Sequence, residues 1–469
     1  MVHDLLRDQH FGMRKPEQTV PPDGERIVIH AVWAVEAYTP LHAEVLFRRL
    51  EQLGFGRDTG LHPAGIRRQL ERTRSGPRGG SWLNLDHVFP PSTNRAPWSG
   101  IEATLPPGVR VARPALHGLT PSVTVLVIQF VLDDEAAGSF DRLSRELEFK
   151  AQARQTRDGV SVKTPDQVKE GALLELRREL RGRGSEWIKE HLPGAFSAGL
   201  GGYDMPTAEL VTTELALPFS RAEQAFDYLS FAGLGWDPIH WCSSDLPGWR
   251  LAFDREDDFI VVAGRRSDVL ADEAYARYGG DDERWAFTYR THECLDKDLA
   301  LWGASKLLLA FHARLATIRD HGLREHGRFG RASKRLKTIR DEFLRDAVDA
   351  RIASAELERY AADERRFEWN ALDWRPSDDF QRDDRLLENL RRVMSDNADA
   401  LSGAEARLRD SLIVDSTVAG TLANLRLQSR LLLIGLAALL IAVASLFVAL
   451  RANDRVQAPP PAQTTTTRH

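Results

Sequence analysis

The chain has 469 residues, 42% apolar and 28% charged, with a formal net charge of −5. That length accommodates two or three domains, and the balance is that of a globular chain rather than a disordered one. The charge gives no reason to expect nucleic acid as a partner of the whole molecule, and only two cysteines, Cys242 and Cys294, exclude a disulfide framework.

Arginine outnumbers lysine 54 to 9. That bias is the mark of a GC-rich coding genome, so a lone arginine carries little information. The N-terminal ten residues are charged and lack the apolar core of a signal peptide, which predicts a protein not exported by that route.

Residues 1–25 read as a loose lead-in ending in Pro-Pro-Asp-Gly-Glu. Arg26 to Val35 is apolar on both faces and predicts a central strand. A helix is expected from about Pro40 to Leu53, stopped by Gly54, then a Gly- and Arg-rich loop with one short helix over 55–80. Strands follow at Val109–His117 and Val123–Leu132, and an amphipathic helix at Asp133–Phe149. Together these predict an α/β domain over 26–150 around a small sheet. Gly54, Gly56 and Gly60 are spaced like a nucleotide fingerprint but follow a helix, so the turn that would cradle a pyrophosphate is missing. Neither a Walker-type Gly-Lys-Ser/Thr nor a Gly-x-Ser-x-Gly elbow occurs.

Thr164-Pro165-Asp166-Gln167 has the form of a capped helix start, and Leu192-Pro193-Gly194 the form of its end. Leu192 to Ser197, Leu-Pro-Gly-Ala-Phe-Ser, stands out as a motif without an assignable function. Further elements are expected at Ala208–Leu217 (strand), Ala222–Ala232 (helix), and Trp249–Phe253, Phe259–Ala263 and Trp285–Tyr289 (strands). Residues 160–295 thus predict a second α/β unit, and the sequence leaves open whether it packs on the first sheet or extends it.

Both cysteines follow a histidine by two residues, in His240-Trp241-Cys242 and His292-Glu293-Cys294. On extended strands i and i+2 share a face, so four such groups could hold zinc tetrahedrally. The bland alternative is two satisfied, partly buried pairs. No cofactor is expected otherwise.

From Asp296 no strand signal remains, and 296–430 predicts a helical bundle or stalk. Leu299, Trp302, Leu307, Leu308, Phe311, Leu315 and Ile318 form one apolar stripe. Leu387, Leu390, Met394, Asn397, Leu401, Ala404 and Leu408 alternate by three and four, a heptad seam with a polar Asn397. It fits an intermolecular coiled coil or an antiparallel bundle within the chain. Ser402-Gly403-Ala404-Glu405 reads as a capping box that would restart the helix. Arg314 and His321, with six residues between them, resemble the paired residues of HEPN-type ribonucleases. Residues 321–340 form the one dense basic stretch, suited to anionic lipid, RNA or an acidic protein surface, or to a solvated bend.

Leu431 to Leu450 is apolar except for Ser445, closed by Arg430 and Arg451. At about 1.5 Å per residue it spans a bilayer of roughly 30 Å, predicting a single-pass anchor with the N-terminal region cytoplasmic. Gly435, Ala438, Ala442, Ser445 and Ala449 lie on one stripe, which with the seam predicts a homo-oligomer. Residues 451–469, with three prolines in a row and four threonines, read as a disordered tail.

This order of α/β region, long helices and C-terminal membrane segment resembles CorA-type divalent-cation transporters over the C-terminal third, chiefly Leu408 to Leu450. Those proteins carry two spans and a Gly-Met-Asn signature. Here there is one span, and the methionines are Met1, Met13, Met205 and Met394, so no pore or ion-binding residue is carried over. The sequence therefore predicts an α+β bacterial protein: a membrane-anchored sensor, scaffold or interaction protein. A nuclease-like effector of a defence or stress system and a divergent CorA-like transporter subunit are the alternatives.

Overall fold

The structure, a computed structural model, describes residues 19–55, 65–75, 81–91, 100–156, 159–221, 227–237, 239–254, 258–277, 282–325, 332–377 and 384–456. In chain order these form β1 (Ile27–Tyr38), α1 (Ala43–Leu53), α2 (Ile66–Ser75), β2 (Ser81–Asn84), β3 (His87–Phe89), β4 (Gly100–Glu102), β5 (Val109–Gly118), β6 (Thr124–Leu132) and α3 (Asp134–Ser144). There follow β7 (Gln152–Thr156), β8 (Gly159–Lys163), α4 (Pro165–His191), β9 (Thr207–Thr213), α5 (Asp227–Phe231), β10 (His240–Ser243), β11 (Trp249–Asp254), β12 (Phe259–Arg265) and α6 (Arg266–Leu270). The remainder is α7 (Glu283–Glu325), α8 (Ala332–Ala362), α9 (Glu364–Phe367), β13 (Trp374–Pro376) and α10 (Leu386–Val456). Contacts divide the chain into two units, one of Met1–His321 with Asp341–Glu405, the other of Gly322–Arg340 with Ala406–His469.

The first unit is built on one sheet of eleven strands in the order β13-β10-β11-β12-β9-β1-β6-β5-β3-β4, with β2 also on β5. The sheet is larger than the one or two small sheets expected from the sequence. The reason lies in β1: buried along nearly its whole length, it pairs with β6 on one side and β9 on the other. The second α/β segment therefore extends the first. β7 and β8 form a separate hairpin.

Successive residues of β1 point to opposite faces. Val32 and Ala34 join the core beneath α3 and α4, while Trp33 and Val35 meet α7, at His292 and Gly303. The caps follow the sequence. Asp133 accepts from Ala136 N at 2.8 Å to start α3, the Thr164–Gln167 capping box starts α4, and Gly54 ends α1 at φ 95°, where a glycine costs least. A buried ion triad, Glu209 of β9 with Arg177 and Arg181 of α4, ties that helix to the sheet.

Four expectations are corrected. The end of the lead-in is anchored: Thr19 and Glu25 are buried, and the Glu25 carboxylate accepts from the backbone N–H of Glu214, Leu215 and Ala216 and from the Tyr228 hydroxyl. Trp285–Tyr289 is the first part of helix α7 rather than a strand. Asp282 caps it, its carboxylate accepting from Trp285 N at 3.0 Å, and Trp285, Thr288, Tyr289 and His292 recur at helical spacing. A strand, β13, lies in the region expected to be wholly helical. Finally, α10 runs unbroken through Ser402–Glu405, so the helix is not restarted there.

The apolar stripe of α7, from Leu299 to Ile318, is buried as expected. Seam residues Leu387, Leu390, Met394 and Leu401 are buried within the chain, and Asn397 Nδ2 donates to Ser305 Oγ of α7 at 3.4 Å. In the second unit, Leu427–Ser445 is the one described segment long and apolar enough to cross a membrane, with mean hydropathy 2.1 and no part of it buried. Ser445 Oγ bonds back to Ile441 O at 2.8 Å.

Candidate functional site

The segment Leu295-Asp296-Lys297-Asp298-Leu299 of α7 places three consecutive charged residues inside the fold, each at most 7% exposed. Successive side chains on a helix diverge by about 100°, so the three reach different elements. Asp296 accepts from Trp82 Nε1 of β2 at 2.7 Å and lies 3.3 Å from His117 Nε2 of β5. Lys297 donates to the Tyr360 hydroxyl of α8. Asp298 accepts from Trp374 Nε1 of β13 at 2.9 Å and from Leu372 N at 3.4 Å.

A cleft of about 410 Å³ opens over Asp296 and Lys297, lined also by Trp82, His117, Cys294, Tyr360 and Trp369 among others. Asp298 does not line it, but Leu372, whose N–H it accepts, does. Trp82 is 39% and Trp369 56% exposed, so both stand at its rim. Next to Trp369, Asn370 takes φ 60°, a left-handed conformation that Asn adopts more readily than most residues. Arg366 Nη2 donates to Leu119 O at 2.7 Å, which spans the cleft wall from α9 to the turn after β5.

Burial sets the electrostatics here. It lowers the Lys297 ammonium to about 8, with Arg366 adding to the fall and Asp298 and Asp296 opposing it. It pushes the Asp298 carboxyl up to about 8 against the hydrogen bonds from Trp374 and Leu372, and the Cys294 thiol up to about 11. Burial also acts upward on Asp296, but the charge and hydrogen bond of His117 and the bond from Trp82 outweigh it and hold that carboxyl below its usual range. The site thus sets a carboxylate 3.3 Å from an imidazole nitrogen, beside an amine near its titration point and a neutral thiol, groups able to bind a polar ligand and exchange protons with it.

Beneath α7, farther along the sheet, Arg113 is buried. Its Nη1 donates to Gln129 Oε1 and to Thr288 Oγ1, each at 2.9 Å, and its guanidinium stacks 4.1 Å from the Trp285 ring centre. A larger surface cleft of about 660 Å³ lies along α4 and the 196–207 segment. There Arg181 is held by Glu209 and Lys306 by Asp258. The Leu192–Ser197 motif has a structural role: Phe196 N and Ser197 N donate to the buried Glu36 carboxylate at 2.8 and 2.9 Å.

The residues singled out from the sequence fall apart spatially or turn to other partners. His240 and Cys242 lie on strand β10, and His240 Nδ1 meets Asp237 O at 2.9 Å. His292 and Cys294 lie on helix α7, where i and i+2 diverge instead of sharing a face. Trp33 Nε1 donates to His292 Nδ1 at 3.4 Å, and burial lowers that imidazole to about 3. Among the described residues, no group of three or more His, Cys, Asp or Glu stands together as a metal site. Arg314 pairs with Asp346 at 2.8 Å and Glu342 at 3.4 Å on α8. The His321 side chain and the side chains of the basic stretch 321–340 lie outside the described residues.

Apart from Cys294, which the sequence singled out for zinc, the cleft residues were missed from the sequence, although one signal was present. A run of three charges inside an apolar helix pattern has no solvated face available to it, so each charge demands a buried partner. No family model, curated protein or solved structure matches the chain.

Proposed function

We propose that the chain is a membrane-anchored sensor or scaffold protein that binds a small polar molecule in the Trp82–Lys297–Trp369 cleft, its α/β region facing the cytoplasm. The observation that carries this reading is the cleft floor, where Asp296 and Lys297 join α7 to β2 and β5 and to α8, next in sequence to Asp298, which joins the same helix to β13. A ligand that exchanges hydrogen bonds with any of these changes how α7 is held, and differential contact of that kind is what lets a ligand shift a conformational equilibrium. The anchor is supported by Leu427–Ser445, whose uncovered leucines and isoleucines would be costly in water.

The test is thermal stabilisation of the full-length, detergent-solubilised protein by a panel of small acids, amines and carbonyl compounds. A ligand present at about 100 times its Kd adds about 2.7 kcal/mol to stability, which is readily read as a rise in Tm. The Ala371→Trp variant fills the cleft and should lose the response. No response from any class, or an equal response in both proteins, removes the cleft from this reading.

A further inference from the structure

Lys297 differs from the other lysines whose side chains are described. It is 7% exposed and lines the cleft, yet among the described residues no carboxylate lies within ion-pair distance of its ammonium. Asp296 and Asp298, its neighbours on α7, are turned away to His117 and Trp82 and to Trp374. What Lys297 Nζ has is the Tyr360 hydroxyl, with the centre of the Tyr360 ring 5.1 Å away. Lys169 is also buried, but its Nζ is held by Thr19 O and Oγ1 at 3.1 and 3.3 Å, and it lines none of the clefts described above. Lys306 is neutralised by Asp258, and Lys150, Lys163 and Lys189 are exposed.

An ammonium out of water and without a counter-ion gives up its proton readily, and the resulting amine is a nucleophile. We propose that Lys297 is the reactive amine of the cleft, and that the ligand carries an aldehyde or ketone which Lys297 captures as an imine. The proposal rests on the cleft being a ligand site and adds the ligand's chemical class.

The step balances without a co-reactant. The neutral Nζ adds to the carbonyl carbon, the carbonyl oxygen becomes the hydroxyl of a carbinolamine, the C–O bond breaks and one water leaves as C=N forms. The proton that nitrogen loses must reach that departing hydroxyl, and the Tyr360 hydroxyl, in contact with Nζ, is the group placed to pass it. The surroundings keep the amine poised: burial and Arg366 favour the neutral form, while the more distant charges of Asp298 and Asp296 favour the ammonium. Trp82 and Trp369 at the rim offer flat apolar surfaces to the rest of such a ligand.

Propionaldehyde with cyanoborohydride, added to the full-length solubilised protein at pH 7, converts each imine to a stable alkyl-lysine that peptide mass spectrometry assigns to its position. Lys297 should label about tenfold faster than Lys163 or Lys189, because an ordinary lysine is almost wholly protonated at that pH. Its rate should level off near pH 8 while theirs keep rising, and Lys169 should stay unlabelled. Tyr360→Phe should slow labelling at Lys297 severalfold and leave Lys163 unaffected. Labelling of Lys297 slower than Lys163, or with the same pH profile, overturns the proposal. If ligands still stabilise the protein when Lys297 does not label, and do so equally in Lys297→Met, the cleft stands as a binding site and the imine falls.

Discussion

The indole Nε1 of Trp374 donates to the Asp298 carboxyl at 2.9 Å, with both side chains out of solvent. This bond ties the edge strand β13 to the middle of the sheet-covering helix α7. Because burial pushes Asp298 up to about 8, the folded protein holds this proton more firmly than an unfolded chain does, where the group titrates near 3.8. The resulting stabilisation is fully present below about pH 3.8 and is lost as pH rises through about 8. Asp298→Asn keeps an acceptor for Trp374 and removes the titration. The variant should be no more stable than wild type at pH 5 and should melt several degrees higher at pH 9. A Tm difference that stays constant between those pH values would refute this account.

Gly194 lies against the chain it caps. A Cβ there would stand 2.6 Å from Ala37 O and 2.7 Å from Glu36 Cγ, in the turn whose next amides bind the Glu36 carboxylate. Gly194→Ala should therefore cost about 1–3 kcal/mol, the usual range for overpacking. Urea denaturation reads this directly, and an unchanged midpoint would mean the turn can move aside.

Arg314 is committed to Asp346 and Glu342, and its own side chain is about a quarter exposed. Arg314→Ala should lower stability by about 0.5–1 kcal/mol, as for other partly exposed pairs, and should have no effect on RNA. The check is incubation of purified protein with single-stranded RNA. Cleavage by wild type that disappears in Arg314→Ala would restore the HEPN-like reading.

Leu436 and Leu440 sit near the centre of Leu427–Ser445. Arginine at the centre of a spanning helix costs about 2.5–3.5 kcal/mol per residue on insertion scales. Leu436→Arg with Leu440→Arg should move the protein from the carbonate-resistant membrane pellet to the supernatant. Equal partition of wild type and variant would sink the anchor.

Zinc should be absent from the purified protein at stoichiometric level, because His292 and Cys294 diverge on a helix and Trp33 occupies His292 Nδ1. Elemental analysis decides this. One zinc per chain, lost in Cys242→Ser, would contradict it.

The sequence by itself determined what depends on neighbours along the chain. The Thr164–Gln167 capping box, the Gly54 stop, the two-sided apolar run of β1, the buried stripe from Leu299 to Ile318 and the apolar run read at Leu431–Leu450, which overlaps the Leu427–Ser445 segment, all follow from residues within a turn or two of one another. Trp285–Tyr289 shows where local reading fails. Aromatic and β-branched residues favour a strand, but the Asp282 cap and the helical spacing toward Thr288 and His292 prevail once a sheet lies beneath them. Only the tertiary structure decided that β9 pairs with β1, and that Trp82, His117, Lys297 and Tyr360 line one cleft while Trp374 bonds to the same turn of α7. From Trp82 to Trp374 these residues span nearly 300 positions. What joins them is the desolvation of three adjacent charges on α7, each of which must find its partner wherever the fold brings one.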